Sequence, residues 1–143
     1  MRGPGERSNL LRVLIVEDEM LIAMDLQATV AALGADLIGC VPSAEEALCT
    51  VTENPADVAI IDFRLAGDMD GIALAWEMKK RGAAIIMASA SLTDPHIQGR
   101  VRQLEPHASL LKPYNGKHIR AVLRTVARER DRALAPRTHL PNE

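Results

Sequence analysis

The chain has 143 residues, a formal net charge of −2 and an ordinary apolar share of 48%. That length suits one domain able to bury ~70% of its unfolded surface, and so balanced a charge excludes a general electrostatic pull toward nucleic acid or anionic lipid. One Phe, one Trp and one Tyr are the only aromatics, which excludes a base-stacking platform for single-stranded nucleic acid and leaves the core to Ala, Leu, Ile, Val and Met.

The predicted elements alternate strand and helix. Met1–Asn9 is polar, contains Gly and Pro, and lacks the apolar stretch of a signal peptide, so residues 1–9 are expected to be a disordered tail. Arg12–Val16 is a β-branched apolar run and the first strand; the acids Glu17, Asp18 and Glu19 follow it. A helix is predicted over Met20–Leu33, with Leu21, Met24, Leu26, Val30 and Leu33 as its apolar stripe and Gly34 as its stop. Asp36–Val41 is the second strand. Ser43 and Glu46 have the spacing of a capping box, opening a helix over Ala44–Glu53 that Asn54-Pro55 ends. Asp57–Ile61 is the third strand, unbroken and apolar as in strands covered on both faces. It delivers Asp62 to the following loop.

Leu65–Asp70 is a polar loop, and the helix predicted over Gly71–Arg81 is stopped by Gly82. Ala84–Ser89 is the fourth strand, again continuous and apolar. Asp94 is an N-cap followed by proline, opening a helix to Leu104. Ala108–Leu111 is a short fifth strand, and the last helix runs over Gly116–Ala133 with Asn115 as its cap, until Pro136 stops it. Residues 10–134 form one domain, and residues 135–143 a second disordered tail. Strand–helix–strand crossovers of this length make a parallel sheet with helices on both faces. The fold class is therefore α/β, a doubly wound five-stranded parallel sheet.

In such a sheet all strand carboxyl ends line one edge, where ligands bind. That edge collects Glu17 and Asp18 after the first strand, Asp62 after the third, Ser89-Ala90 after the fourth and Lys112-Pro113 after the fifth. Taken alone, Asp62 could simply end a strand. Three carboxylates packed together repel, and each resists ionisation. A divalent cation removes that conflict, and an all-oxygen set suits Mg²⁺ better than zinc or copper. The Lys112 amine and Ser89 hydroxyl can each hold a phosphoryl oxygen. The set reads as a site for a phosphoryl group attached to, or passing through, a carboxylate.

Four separated pieces, each closing a predicted strand, resemble the receiver domain of two-component response regulators: Val-Leu-Ile-Val-Glu17-Asp18-Glu19, Ile-Ile-Asp62, Met-Ala-Ser89-Ala90 and Leu-Leu-Lys112-Pro113. The resemblance covers Leu11–Ala133 and implies a flavodoxin-like strand order. It implies Asp62 as phospho-acceptor, Asp18 as direct Mg²⁺ ligand, Glu17 as an acid holding the metal through water, and the Arg64 backbone carbonyl as completing the metal shell. Ser89 stands at the family's Thr/Ser position and Lys112 at its lysine, with a cis Lys112-Pro113 bond aiming the amine inward. The partners implied are a sensor histidine kinase or phosphotransfer protein upstream and an effector protein downstream. A homodimer is allowed, and neither nucleic acid nor a membrane is a direct partner.

Three features depart from the family pattern. Ser109 stands where many relatives have Tyr or Phe, so aromatic switching in its usual form is not expected. The loop Leu65–Gly71 lacks the common proline and is one residue longer. Arg64 and Ser91 stand where relatives often place an acid or amide beside the attacking water.

The last helix carries Arg120, Arg124, Arg128, Arg130 and Arg132, opposite Ile119, Val122, Leu123 and Val126. This is expected to be a solvated face over a core stripe. Cys40 and Cys49 lie in no CxxC or Cys/His cluster and read as small buried apolar residues of a reducing compartment, a disulfide being the less favoured alternative. His96, His107, His118 and His139 share no metal spacing and read as surface or capping residues; Met20, Met24, Met69, Met78 and Met87 read as core filler. No apolar run reaches the ~20 residues that span a bilayer. The expectation is a soluble, cytoplasmic, stand-alone phosphoryl-receiver switch that is not an enzyme beyond its own phosphorylation and slow dephosphorylation. Two alternatives are a receiver-like interaction module that is never phosphorylated, and an Asp-nucleophile phosphatase. The phosphatase would need a second acid two residues after the nucleophile, where this chain has Arg64.

Overall fold

The computed structural model describes residues 10–89 and 93–134, the last of these by its backbone alone. Its elements in order are β1 (Arg12–Val16), α1 (Met20–Ala32), β2 (Asp36–Val41), α2 (Ala44–Glu53), β3 (Val58–Asp62), α3 (Gly71–Lys80), β4 (Ala84–Ser89), α4 (Pro95–Leu104), β5 (Ala108–Leu111) and α5 (Gly116–Leu134). The strands form one sheet in the order β2-β1-β3-β4-β5, with every neighbouring pair parallel. Chain direction through the sheet reverses between β1 and β3. The loops after these two strands therefore part and leave a crevice at their carboxyl ends.

Side chains alternate across the pleat, so each strand feeds two cores. Leu14, Val16, Ala59, Ile61, Ile85 and Met87 pack against Ala47, Val51, Ile72, Leu74, Met78 and Leu104 from α2, α3 and α4. Val13, Ile15, Val58, Ile60, Ile86 and Leu110 pack on the other face against Leu26, Val30, Ile119, Leu123 and Val126 from α1 and α5. That double cover explains the unbroken apolar runs. Each fully buried Leu or Ile contributes roughly 1.5–3 kcal/mol, so β1 and β3 are held rigidly where they deliver their acids.

Local chemistry sets the element ends much as the residues imply. Ser43 Oγ accepts from Glu46 N at 3.2 Å and donates to the Glu46 carboxylate at 2.9 Å. Asp94 accepts from His96 N at 2.9 Å, and Asn115 from His118 N at 2.8 Å. Gly34 and Gly82 stop α1 and α3 with φ of 79° and 89°, a conformation that costs glycine little. β3 sits one residue later than predicted. Asp57 precedes it, accepting from Arg12 N at 2.8 Å and pairing with Arg130 at 2.7 Å, while Asp62 is the strand's last residue, opposite Ala88.

The apolar stripe predicted for α1 is corrected. Leu21 and Met24 are 82% and 57% exposed, and Met20 is exposed too. At about 100° per residue, neither Leu21 nor Met24 can share a face with Leu26 and Val30. Ala23 and Thr29 complete the inward arc instead. Met20 and Met24 are thus not core filler, whereas Met78 and Met87 are buried and Met69 packs at the core's edge. Cys49 is exposed and Cys40 half-buried, both as free thiols; the inward face of α2 belongs to Ala44, Ala47 and Val51. On α5 the stripe Ile119, Leu123 and Val126 is buried and Arg124 and Arg128 are solvated, as expected. The two predicted tails and His139 lie outside the described residues.

Candidate functional site

β1 and its last pairing hold the first acid. Glu17 N donates to Val41 O at 2.9 Å, so Glu17 is still anchored to the sheet, and it is buried. Asp18 follows in the turn and is exposed. β3 brings Asp62, which is 6% exposed, and Phe63 N donates to Ala88 O at 2.9 Å just beyond it. Arg64 N lies 3.3 Å from Asp62 Oδ1 and donates to it, while the Arg64 side chain is exposed. β4 ends in Ser89, buried, one residue past the Ala88 that faces Asp62. Lys112 N donates to Ser89 O at 2.7 Å, which sets the last side chain beside the others. The Lys112-Pro113 peptide is cis.

These residues converge. One oxygen each from Glu17, Asp18 and Asp62 lie within 4.8 Å of one another. Lys112 Nζ donates to Asp62 Oδ2 at 3.0 Å. It also forms an ion pair with Glu17 Oε1 at 2.9 Å, and that buried carboxylate oxygen has no aligned hydrogen-bond donor among the described residues. One ammonium thus faces two buried carboxylates, with a third at the rim.

The electrostatics follow. Burial pushes the Glu17 carboxyl up to about 7; the Lys112 contact opposes this, and the Asp62 carboxylate adds to it. Burial works against the Lys112 ammonium, but Glu17 and Asp62 outweigh it and hold the amine at about 12. Tyr114, just past the cis bond, has a buried hydroxyl with no hydrogen-bond partner among the described residues. Burial first, and Glu17 next, push its phenol up to about 12.

Glu17 holds its proton more tightly in the folded chain than in the unfolded one. Its contribution to stability is full below about 4.5 and is lost as pH rises through about 7. In EDTA, the melting temperature of Glu17→Gln should therefore exceed that of wild type by a margin that widens between pH 5 and 8. A margin independent of pH would refute this account of Glu17.

The structure places Glu17, Asp18, Asp62, Lys112 and Ser89 along one edge and sets the Arg64 backbone against Asp62. Ser91 and Ala90 lie outside the described residues. Ser109 is exposed on β5, and no aromatic ring stands at that position. Sequence reasoning missed Gly71, whose N donates to Phe63 O at 2.9 Å and closes the loop after Asp62 on itself. An Asp-Gly pair opening a helix after a catalytic-looking aspartate was the available signal. It also missed Asp70 and Arg100, for which spacing carried no signal, and the buried phenol of Tyr114.

A family model described as the response regulator receiver domain matches residues 13–124. The chain is 29% identical over 121 residues to the two-component response regulator PhoP of Pseudomonas aeruginosa, covering 82% of this chain and 52% of that protein. It is 31% identical over 104 residues to the transcriptional regulatory protein PdtaR of Mycobacterium tuberculosis, covering 73% of this chain and 50% of that one. The chain thus spans about half the length of the curated relatives it matches. Among solved structures, the signal receiver domain of a modulated diguanylate cyclase from Desulfovibrio desulfuricans G20 superposes with a TM-score of 0.79 at 27% identity, over 87% of this chain and 98% of that one. A five-stranded parallel sheet in the order β2-β1-β3-β4-β5 carries the acidic edge in all the respects set out above, and by sequence and fold together the chain belongs to the response regulator receiver domain family.

Proposed function

We propose that this receiver domain accepts a phosphoryl group on Asp62 from a phosphohistidine of a sensor kinase or phosphotransfer protein, and signals through an effector that reads its altered surface. The observation that carries the reading is the Lys112 ammonium, 3.0 Å from Asp62 Oδ2, beside three acids whose oxygens lie within 4.8 Å of one another. The donor set fits a hard divalent cation. All its ligands are oxygens, and the buried Glu17 Oε1 has no aligned hydrogen-bond donor among the described residues. Asp18 and Asp62 would hold Mg²⁺ directly, Glu17 through water, and the Arg64 carbonyl would complete the shell. When bound, the metal supplies positive charge against the phosphoryl oxygens.

The chain's own residues do the rest. An Asp62 carboxylate oxygen attacks phosphorus, the P–N bond to the donor imidazole breaks, and the imidazole nitrogen keeps the electron pair. Lys112 offsets charge on the phosphoryl oxygens, and the Ser89 hydroxyl donates to another of them. Water later hydrolyses the acyl phosphate. The new group adds about −2 charge, enough to reorder the loops after β3 and β4. As a receiver domain the chain is no classical enzyme; its chemistry is its own phosphorylation and slow dephosphorylation. Among the described residues no helix is long and apolar enough to cross a membrane, and we place the reaction in the cytoplasm.

Acetyl phosphate or beryllofluoride with Mg²⁺ should shift the amide spectrum of the wild type, and Asp62→Asn should remove the response. If neither reagent changes the spectrum, and the Asn variant behaves as wild type, the protein is an interaction module without phosphorylation. Multiple-turnover hydrolysis of small phosphate esters should be absent.

A further inference from the structure

The loop after Asp62 flanks the acceptor on the α3 side, and an ion pair joins it to α4. Asp70 ends this loop and caps α3, accepting from Ala73 N at 2.8 Å. Its carboxylate also meets both terminal nitrogens of Arg100, Oδ2 at 2.9 Å from Nη1 and Oδ1 at 3.2 Å from Nη2. Arg100 lies midway along α4. That helix buries only Val101 and Leu104, and its far end is held by Lys79, whose Nζ donates to the Leu104 carbonyl. Arg100 thus ties α4 to the loop after Asp62 through a two-point contact.

Asp70 is mechanically close to the acceptor. The next residue, Gly71, donates to Phe63 O at 2.9 Å. It packs so tightly that a Cβ there would meet the Asp62 carbonyl at 2.1 Å. A shift of Asp70 thus passes through backbone to Asp62 and Arg64. The loop's other flank is braced independently, by a bridge between Ala66 and Ser43 and by Gly67 against Glu45. With side chains 34% and 37% exposed, the ion pair adds little to global stability. Its two-point fork, by contrast, fixes orientation as well as distance.

We propose that Arg100 is a positioning residue for phosphoryl transfer, acting through Asp70 to hold the loop that carries Asp62 and Arg64 in register with the metal and phosphoryl site. This rests on the function proposed above. The test measures the Mg²⁺ half-saturation and the rate of phosphorylation by acetyl phosphate, read by intact-protein mass. Arg100→Ala should worsen each by about tenfold, the scale of a loop misplaced by less than an ångström. Asp70→Asn keeps a good N-cap but loses the ion pair, and should do the same. The double variant should be no worse than either single one. Arg100→Lys should restore part of the loss, since an ammonium keeps the charge but not the fork. Val126→Ala, in the core under α5, should lower the melting temperature and leave both readouts unchanged. Folded Arg100→Ala and Asp70→Asn proteins with wild-type Mg²⁺ dependence and rate would overturn this inference alone; a wild type that takes up no phosphoryl group would overturn the proposed function with it.

Discussion

Gly71→Ala should lower the melting temperature by about 10 °C and abolish beryllofluoride uptake at Asp62. The added Cβ would lie 2.1 Å from the Asp62 carbonyl oxygen, and 2.9 Å from the Asp62 carbonyl carbon and from Phe63 Cα. All three are backbone atoms, so no rotamer change makes room. Either the start of α3 moves outward or the peptide after Asp62 does, and the hydrogen bond from Gly71 N to Phe63 O is lost in both cases. Overpacking of this kind costs about 3 kcal/mol, and the lost hydrogen bond about 1 kcal/mol more. Alanine's better helix propensity returns roughly 1 kcal/mol at most. Because the displaced atoms belong to Asp62 itself, the proposed function should fall further than stability. Thermal melts and a beryllofluoride titration followed by amide spectra check both parts. An alanine protein that melts with wild type and binds beryllofluoride equally would mean the loop yields freely.

Lys112→Ala should slow phosphorylation by acetyl phosphate about 10²–10³-fold, the usual cost of removing one donor aimed at developing charge. It should also destabilise the metal-free protein. Lys112 Nζ lies 2.9 Å from Glu17 Oε1 and 3.0 Å from Asp62 Oδ2, and both carboxylates are buried. Removing one member of such a cluster leaves uncompensated charge and costs about 3 kcal/mol, or roughly 10 °C at this chain length. The loss should be largest above pH 7 and smaller at pH 5, where Glu17, pushed up to about 7, takes a proton instead. Mg²⁺ should raise the melting temperature of the variant more than that of wild type, since it then supplies the missing positive charge. Melts in EDTA and in Mg²⁺ at both pH values test this. Equal melting of the two proteins in EDTA at pH 8 would show that Lys112 does not neutralise the acids.

The fold was legible because local signals agreed with one another. The apolar runs of β1, β3 and β4 are continuous since the sheet is covered on both faces. Ser43, Asp94 and Asn115 cap the helices that follow them. Spacing alone does not choose a helix face. On α1 small residues, Ala23 and Thr29, take inward positions that larger Leu21 and Met24 leave for solvent. Residue type favours an interior place for Cys49, yet it lies opposite the face that α2 buries. A helix exposes what its neighbours cannot cover, and no count of apolar residues along one segment reports its neighbours.

The acidic edge divides in the same way. The residue order already puts Glu17, Asp18, Asp62, Ser89 and Lys112 at or just past strand ends, and parallel topology then obliges them to share an edge. The distances and burial that make the edge a site come from the packed fold: the 3.0 Å hydrogen bond from Lys112 to Asp62, the buried Glu17 oxygen with no aligned donor among the described residues, and the bridge from Arg100 to Asp70. Strand ends follow from local hydrophobic patterning, whereas desolvation and pairing depend on side chains brought together from distant parts of the chain.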